Sequence, residues 1–236
     1  MQSETLTYRD EELEMKGHLV YDHSTAERRP AVVVCHAIRG QDDFAREKAE
    51  EIARLGYVGF AIDVYGQGVA FENIEDAREI HDELENDRLK MRRRLTAGLK
   101  AVSSQERVDS HRVGAMGYCF GGMCALELAR SGAQVRGVVS FHGQLDTPHP
   151  EDAGNIQGKV LALHGYDDPL TRARVEDFQK EMNEAGVDWQ LHAYGGTFHS
   201  FTNPAANNRE KGLLYDPAAD RRSWLAMTHF FEETFS

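Results

Sequence analysis

Residues 113–130 read Val-Gly-Ala-Met-Gly-Tyr-Cys-Phe-Gly-Gly-Met-Cys-Ala-Leu-Glu-Leu-Ala-Arg. Residues 113–118 are small and apolar and read as a buried strand, while residues 120–130 repeat apolar residues at helical spacing. Between them, Gly117-Tyr118-Cys119-Phe120-Gly121 has the form G-x-S-x-G with cysteine in place of serine. A strand-to-helix turn this tight needs small residues on both sides of its apex, and Gly117 and Gly121 supply them. The apex thiol then stands at a helix N-terminus, where the dipole favours an anion. A dinucleotide fingerprint would need G-x-G-x-x-G, which this spacing is not. Cys119 is therefore a candidate nucleophile, whereas Cys124, on another face of the same helix, reads as core.

The same alternation extends in both directions. Strands are expected at residues 13–20, 31–35, 57–62, 113–118, 135–141, 160–164 and 189–194. Helices are expected at 44–55, 74–102, 120–130, 172–185 and 220–231. The run Ala31-Val32-Val33-Val34-Cys35 is continuously apolar, as in a strand buried on both faces. Such alternation predicts an α/β fold, a mostly parallel central sheet with helices on both faces. No repeat, low-complexity stretch or composition shift marks a boundary, so residues 1–236 are expected to form a single domain.

Composition narrows the function classes. Acidic residues outnumber basic ones 39 to 27, for a net charge of -12. That field repels phosphate backbones and anionic headgroups, so neither nucleic acid nor a membrane is an expected partner. No apolar run approaches the roughly 20 residues of a membrane span. The polar start, Met1-Gln2-Ser3-Glu4, carries no signal-peptide pattern. Three cysteines without an export signal suggest free thiols in a reducing compartment, and a cytoplasmic location is expected. The expected partner is a small molecule, with the protein a monomer or small homo-oligomer.

In parallel sheets, ligands bind beyond the carboxyl ends of the strands. The unusual residues of this chain fall there. After the strand at 160–164 comes Gly165-Tyr166-Asp167-Asp168-Pro169, which offers two carboxylates. After the last strand comes Gly196-Thr197-Phe198-His199-Ser200-Phe201, which offers an imidazole in a glycine-flanked loop. A thiol nucleophile needs a base, and the base an orienting acid. Cys, Asp and His occur in the order nucleophile, acid, base.

With these segments, together with Val34-Cys35-His36 through Gly40, Asp63-Val64-Tyr65-Gly66 and the Gly-Tyr-Cys-Phe-Gly-Gly turn, the chain resembles the dienelactone hydrolase family of α/β-hydrolases over nearly its whole length. The cysteine at the turn is the most specific feature. The resemblance implies an α/β-hydrolase fold and a triad of Cys119 as nucleophile, His199 as base and Asp168, directly before Pro169, as orienting acid. It implies an oxyanion hole built from the backbone N–H of Phe120 and of Ile38. Family members often carry Glu directly after the position of His36, where this chain has Ala37, and Arg four residues after the catalytic His, where it has Asn203. An Asn can donate a hydrogen bond to a substrate carboxylate but supplies no charge.

Further substrate contacts are expected from Arg39, in the loop after the first buried strand, and from Arg88, which interrupts the apolar stripe of the 74–102 helix. Tyr65 and Phe198 flank strand ends. Arg92-Arg93-Arg94 reads as a solvated face. His36, His142 and His164 lack the spacing of a zinc site, so no metal and no cofactor are expected. The implied reaction is hydrolysis of a carboxylic ester or lactone through a thioester on Cys119. The alternatives are a broad short-chain carboxylesterase without lactone preference, and a non-catalytic binding protein on the same fold.

Overall fold

A computed structural model describes all 236 residues, and the chain divides into two compact units, Met1–Met116 and Gly117–Ser236. Eight strands make a mostly parallel central sheet, as the alternation predicts.

In the first unit, β1 (Gln2–Asp10) and β2 (Leu13–Tyr21) form an antiparallel hairpin turned at Glu11, where φ is 53°. β2 pairs antiparallel with β4 (Val58–Ile62), and β4 pairs parallel with β3 (Arg29–Cys35), beyond which lies β5 (Val108–Tyr118). Residues 31–35 are all fully buried. Each such Val contributes roughly 1.5–3 kcal/mol over its exposed state. Two helices explain the burial. α1 (Asp43–Arg54) approaches so closely that a Cβ on Gly59 would lie 1.9 Å from the Ala49 carbonyl oxygen. A Cβ on Gly98, in α3 (Arg88–Ser103), would lie 2.4 Å from Ile62 Cδ1. Residues 59 and 62 point to opposite sides of β4, so helices cover both faces here.

Three features of this unit depart from the sequence reading. β1 was not expected, because only Tyr8 and Asp10 of its nine residues are buried, too few to make an apolar alternation. The expected 74–102 helix is two, α2 (Ile74–Asn86) and α3, parted at Asp87. Its carboxylate accepts from Lys90 N and caps α3, the competition that short polar side chains offer to a continuous helix. The Arg92-Arg93-Arg94 run is not a solvated face. Arg92 and Arg94 are buried, and Arg94 Nη1 donates to the carbonyls of Val64 (2.9 Å) and Tyr65 (3.1 Å). Arg93 alone turns outward, onto Asp10 at 2.7 Å.

In the second unit, β5 ends and α4 (Phe120–Arg130) begins. β6 (Gly137–Phe141), β7 (Lys159–Gly165) and β8 (Trp189–Tyr194) follow as parallel neighbours. α4 packs against Ser140 and α6 (Pro217–Phe235) against Gly137, where a Cβ would meet the Phe230 ring at 2.9 Å. Positions 137 and 140 face opposite ways, so this unit too is covered on both faces. Every residue of α4 is buried. Its last residue, Arg130, is satisfied by Glu181 (2.7 and 2.8 Å), Glu127 (3.0 Å) and the Leu145 carbonyl (2.8 Å).

Here the differences lie at element ends. The 172–185 helix opens as a 3₁₀ turn over Arg172–Arg174 before α5 (Val175–Glu184). α6 starts earlier than expected because Asp216 caps it, accepting from Ala218 N and Ala219 N, with Pro217 in the first helical position. A 3₁₀ helix, Pro150–Asn155, and a two-residue hairpin of β9 (Asn207–Asn208) and β10 (Leu213–Leu214) are too short to show a period. No helix is long and apolar enough to cross a membrane.

Candidate active site

The turn between β5 and α4 places Cys119 at φ 56° and ψ −118°, a region that costs a non-glycine residue about 1–3 kcal/mol. The turn is held by Cys119 N donating to the Phe141 carbonyl at 3.0 Å. The close approach behind it falls on Gly122, where a Cβ would lie 2.6 Å from Ser140 Oγ and 2.9 Å from Gly143 Cα. The turn motif by itself puts the need for space at Gly117 and Gly121, beside the apex. Cys119 is the partly exposed one of the three cysteines; Cys35 and Cys124 are buried. Burial raises the Cys35 thiol to about 12, which leaves it an inert hydrophobe.

β7 delivers Asp168. Its Oδ1 accepts from Leu170 N at 2.8 Å and its Oδ2 lies 2.7 Å from His199 Nδ1. Asp168 is fully buried, which works to raise its pKa. The hydrogen bond and charge of His199, then the Leu170 N–H and Thr171 hydroxyl, outweigh that and hold it below the usual carboxylate range. Asp167, the alternative acid, instead faces Arg172 at 3.9 Å.

The loop after β8 delivers His199. Its backbone N donates to the Gly212 carbonyl and its carbonyl accepts from Leu214 N, so the β9–β10 hairpin pins it. Ser200, directly after it, has φ 58°. Burial pushes the imidazole's pKa down. The charge of the Cys119 sulfur, then the Asp168 hydrogen bond and a hydrogen bond to Cys119, overcome this and raise it to about 10. Nε2 is buried without a well-aligned hydrogen bond. The second unit thus holds a strained cysteine, an imidazole that its sulfur stabilises as the cation, and a carboxylate fixing the other ring nitrogen. That arrangement can move a proton between sulfur and imidazole and expose a sulfur anion for attack on a carbonyl.

Residues 15–235 match the family model described as the dienelactone hydrolase family. The chain belongs to the dienelactone hydrolase family. It is therefore a carboxylic ester hydrolase of the α/β-hydrolase fold. A solved structure described as m3DLH is 40% identical, with TM-score 0.94, covering 100% of this chain and 99% of its own. A dienelactone hydrolase-like promiscuous phosphotriesterase, P91 from metagenomic libraries, is 37% identical with TM-score 0.93 and the same coverage. A curated relative from Synechocystis, provisionally named a carboxymethylenebutenolidase, is 26% identical over 213 residues, 83% of this chain and 85% of its own.

Against that family background, the remaining expected residues divide. In the first unit, Tyr65 donates its hydroxyl to the Ile38 carbonyl at 2.8 Å and stacks edge-on to His36 at 4.6 Å, so it braces the 36–40 loop. His36 stands 2.8 Å from the Ala37 carbonyl at Nδ1 and accepts from Val64 N at Nε2. Arg39 is held by Asp42 at 2.7 Å, which engages the charge expected for a substrate carboxylate. Arg88 is buried at the first position of α3. In the second unit, Phe120 opens α4, whose first amides have no intrahelical acceptor. Phe198 is half-buried under Arg209, 5.1 Å from the ring. Asn203 spends its side-chain oxygen on Ala205 N at 2.9 Å, closing a local turn.

Two features escaped the sequence reading. Thr171, touching both Asp168 and His164 Nδ1 (3.1 Å), carried no motif. His142 reads from sequence only as a strand-end histidine without zinc spacing. As potential metal ligands, His81, Asp82 and Glu85 of α2 bring one atom each within 4.8 Å of one another, with His81 Nδ1 already 2.8 Å from Asp82 Oδ1.

Proposed function

We propose that the enzyme cleaves a small carboxylic ester or lactone through a thioester on Cys119. His199 takes the proton of Cys119, and Asp168 holds the imidazole by Nδ1 so that Nε2 serves the sulfur. The sulfur attacks the carbonyl carbon, and the backbone N–H of Phe120, at the start of α4, holds the oxyanion. The alcohol or enol leaves with the proton from His199. Water, deprotonated by His199, then attacks the thioester and releases the acid, returning the sulfur to its resting state. Residues 1–236 act in this as one hydrolase domain. The observation that carries the reading is the strained Cys119 at the start of α4 beside an imidazole raised to about 10 and held by Asp168 at 2.7 Å. Strained backbone persists where the surroundings over-determine it, and catalytic turns are the common case.

Iodoacetamide tests the reading. Labelling is expected at Cys119 far faster than at Cys35 or Cys124, with hydrolysis of p-nitrophenyl acetate lost in step. Full activity after complete labelling of Cys119 would overturn it, and absence of any ester hydrolysis would favour a binding protein. Comparison of a five-membered enol-lactone with p-nitrophenyl acetate separates a lactonase from a broad short-chain carboxylesterase. The likeness to P91 makes a dialkyl aryl phosphate a third substrate for the same assay.

A further inference from the structure

In the proposed mechanism Asp168 holds His199 at Nδ1, while Nε2, which makes no well-aligned hydrogen bond, must stay turned to Cys119. A single bond at Nδ1 fixes the position of that nitrogen but leaves the plane of the ring free to swing about it. Something must oppose that motion, and the side chain packed against the ring is His142.

His142 stands directly after β6, 3% exposed, with φ 41°, the third non-glycine residue of this unit in the left-handed region after Cys119 and Ser200. Its backbone N donates to the Leu163 carbonyl at 2.9 Å. Its Nε2 lies 2.8 Å from Thr202 Oγ1, and Thr202 is itself buried. The ring meets His199 edge-to-face, with centroids 4.9 Å apart and planes at 67°. Phe201 also meets the ring edge-to-face, at 5.1 Å and 78°, and Tyr118 stands 6.1 Å away. We propose that His142 is a positioning residue for the hydrolysis, a neutral ring locked by Thr202 and Phe201 that fixes the plane of His199 so that Nε2 stays on the Cys119 sulfur.

The charge environment requires His142 to be neutral. The titratable groups facing it are His199, Asp168 and Tyr118. Burial, then the positive charge of His199, push the His142 imidazole well below its ordinary range, and the opposing effect of Asp168 is smaller. A second cation 4.9 Å from His199 would repel the proton that His199 must hold. A lysine or arginine could not do this work, whereas a neutral aromatic ring could. The proposal rests on His199 acting as the base for Cys119.

The test compares His142→Gln, His142→Phe and Thr202→Val by two readouts, ester kinetics and the pH dependence of Cys119 alkylation by iodoacetamide. Gln keeps a polar atom toward Thr202 but removes the ring. Its kcat is expected to fall at least about tenfold with KM nearly unchanged, as a misaligned base requires. With His199 free to swing, its contacts to the sulfur and to Asp168 lengthen. The alkaline limb of the alkylation profile, where His199 loses its proton, should then move down by about one pH unit. Phe restores a ring without a titrating group and should recover most of both losses. Thr202→Val keeps the ring but releases it, and should shift both readouts in the direction of Gln by a smaller amount. A folded His142→Gln with parental kcat and alkylation profile would overturn the proposal, as would a Phe variant as damaged as Gln. Should Gln fail to fold, a Thr202→Val enzyme with parental kcat and profile overturns it alone. Alkylation needs no ester, so this failure is distinct from that of the hydrolase reading, which would show as ester hydrolysis untouched by alkylation of Cys119.

Discussion

Asp63 and Asp168 are the same residue type in the same kind of place, a buried position just past the end of a parallel strand, and they do opposite things. Asp63, after β4, gives all its acceptors to backbone. Its Oδ2 accepts from Lys16 N (2.9 Å) and Gly68 N (2.7 Å) and its Oδ1 from Gly66 N (2.7 Å). Its main chain exchanges hydrogen bonds with the Tyr8 hydroxyl. Asp168, after β7, gives one oxygen to backbone and the other to an imidazole. The first carboxylate ties a loop with partners that never change charge. The second is joined to an imidazole that, in the proposed mechanism, takes and gives a proton. A strand-end carboxylate is thus not in itself a catalytic sign; its partner decides.

The largest effect expected from this contrast is on turnover. Asp168→Asn should lower kcat by about 10³–10⁴, because an amide favours the wrong tautomer of His199, while the fold persists. Steady-state kinetics with a circular dichroism check measures it, and a loss under tenfold would remove Asp168 from the site. Asp63→Asn should do the reverse. Its amide would turn an N–H toward a backbone N–H, leaving at least one buried donor unpaired. The cost is about 1–3 kcal/mol for each bond lost, with kcat per folded molecule unchanged. Urea unfolding reads the first and active-site titration the second; a variant that is stable but inactive would show that the two carboxylates are not so different.

A third effect is electrostatic. His36, His142 and His164 are each lowered from the ordinary imidazole range, burial being the main cause. In the unfolded chain they titrate near 6.5. Below that pH the unfolded state binds protons that the folded state refuses, so stability falls as pH falls. The slope is about 1.4 kcal/mol per pH unit for each imidazole. His199, raised rather than lowered, works the other way: above about pH 6.5 it keeps its proton in the folded state and loses it in the unfolded one, so it offsets roughly one of the three imidazoles between pH 7.5 and 5.5. Urea midpoints at pH 7.5 and 5.5 should therefore differ clearly, and equal midpoints would contradict the assignment of three neutral imidazoles. The smallest effect is at Asp167, whose contact with Arg172 is long and exposed. Asp167→Asn should change kcat by less than about twofold and stability by less than about 1 kcal/mol.

How much of this was legible follows from the kinds of signal involved. The parallel strands announce themselves because strands buried on both faces are unbroken apolar runs, as at 31–35. The hairpin partner β1 does not, being mostly exposed. The strand-to-helix turn at Cys119 is readable because it needs small neighbours in sequence, although the tightest contact, at Gly122, depends on Gly143 and Ser140 far along the chain. That an acid and an imidazole lie beyond β7 and β8 is visible from order alone. Which of Asp167 and Asp168 faces His199 is a matter of one residue's direction: spacing alone leaves both open, the family resemblance implies Asp168, and in the fold it is Asp168 that lies 2.7 Å from His199 Nδ1. The burial of Arg94 was illegible because its compensation comes from the Val64 and Tyr65 carbonyls and from Asp10, all distant in sequence. The same holds for the pairing of His142 with Thr202, 60 positions apart.

The central claim is that the sulfur of Cys119 becomes acylated during turnover. It is tested most directly by quenching the reaction with p-nitrophenyl acetate in acid within the first turnover and reading the intact mass, then the peptide map. One acetyl group on Cys119, formed as fast as p-nitrophenol is released and lost at the steady-state rate, is the predicted result. Steady release of p-nitrophenol by a Cys119→Ala enzyme at the parental rate, with no acetyl group trapped on the parent, would contradict it.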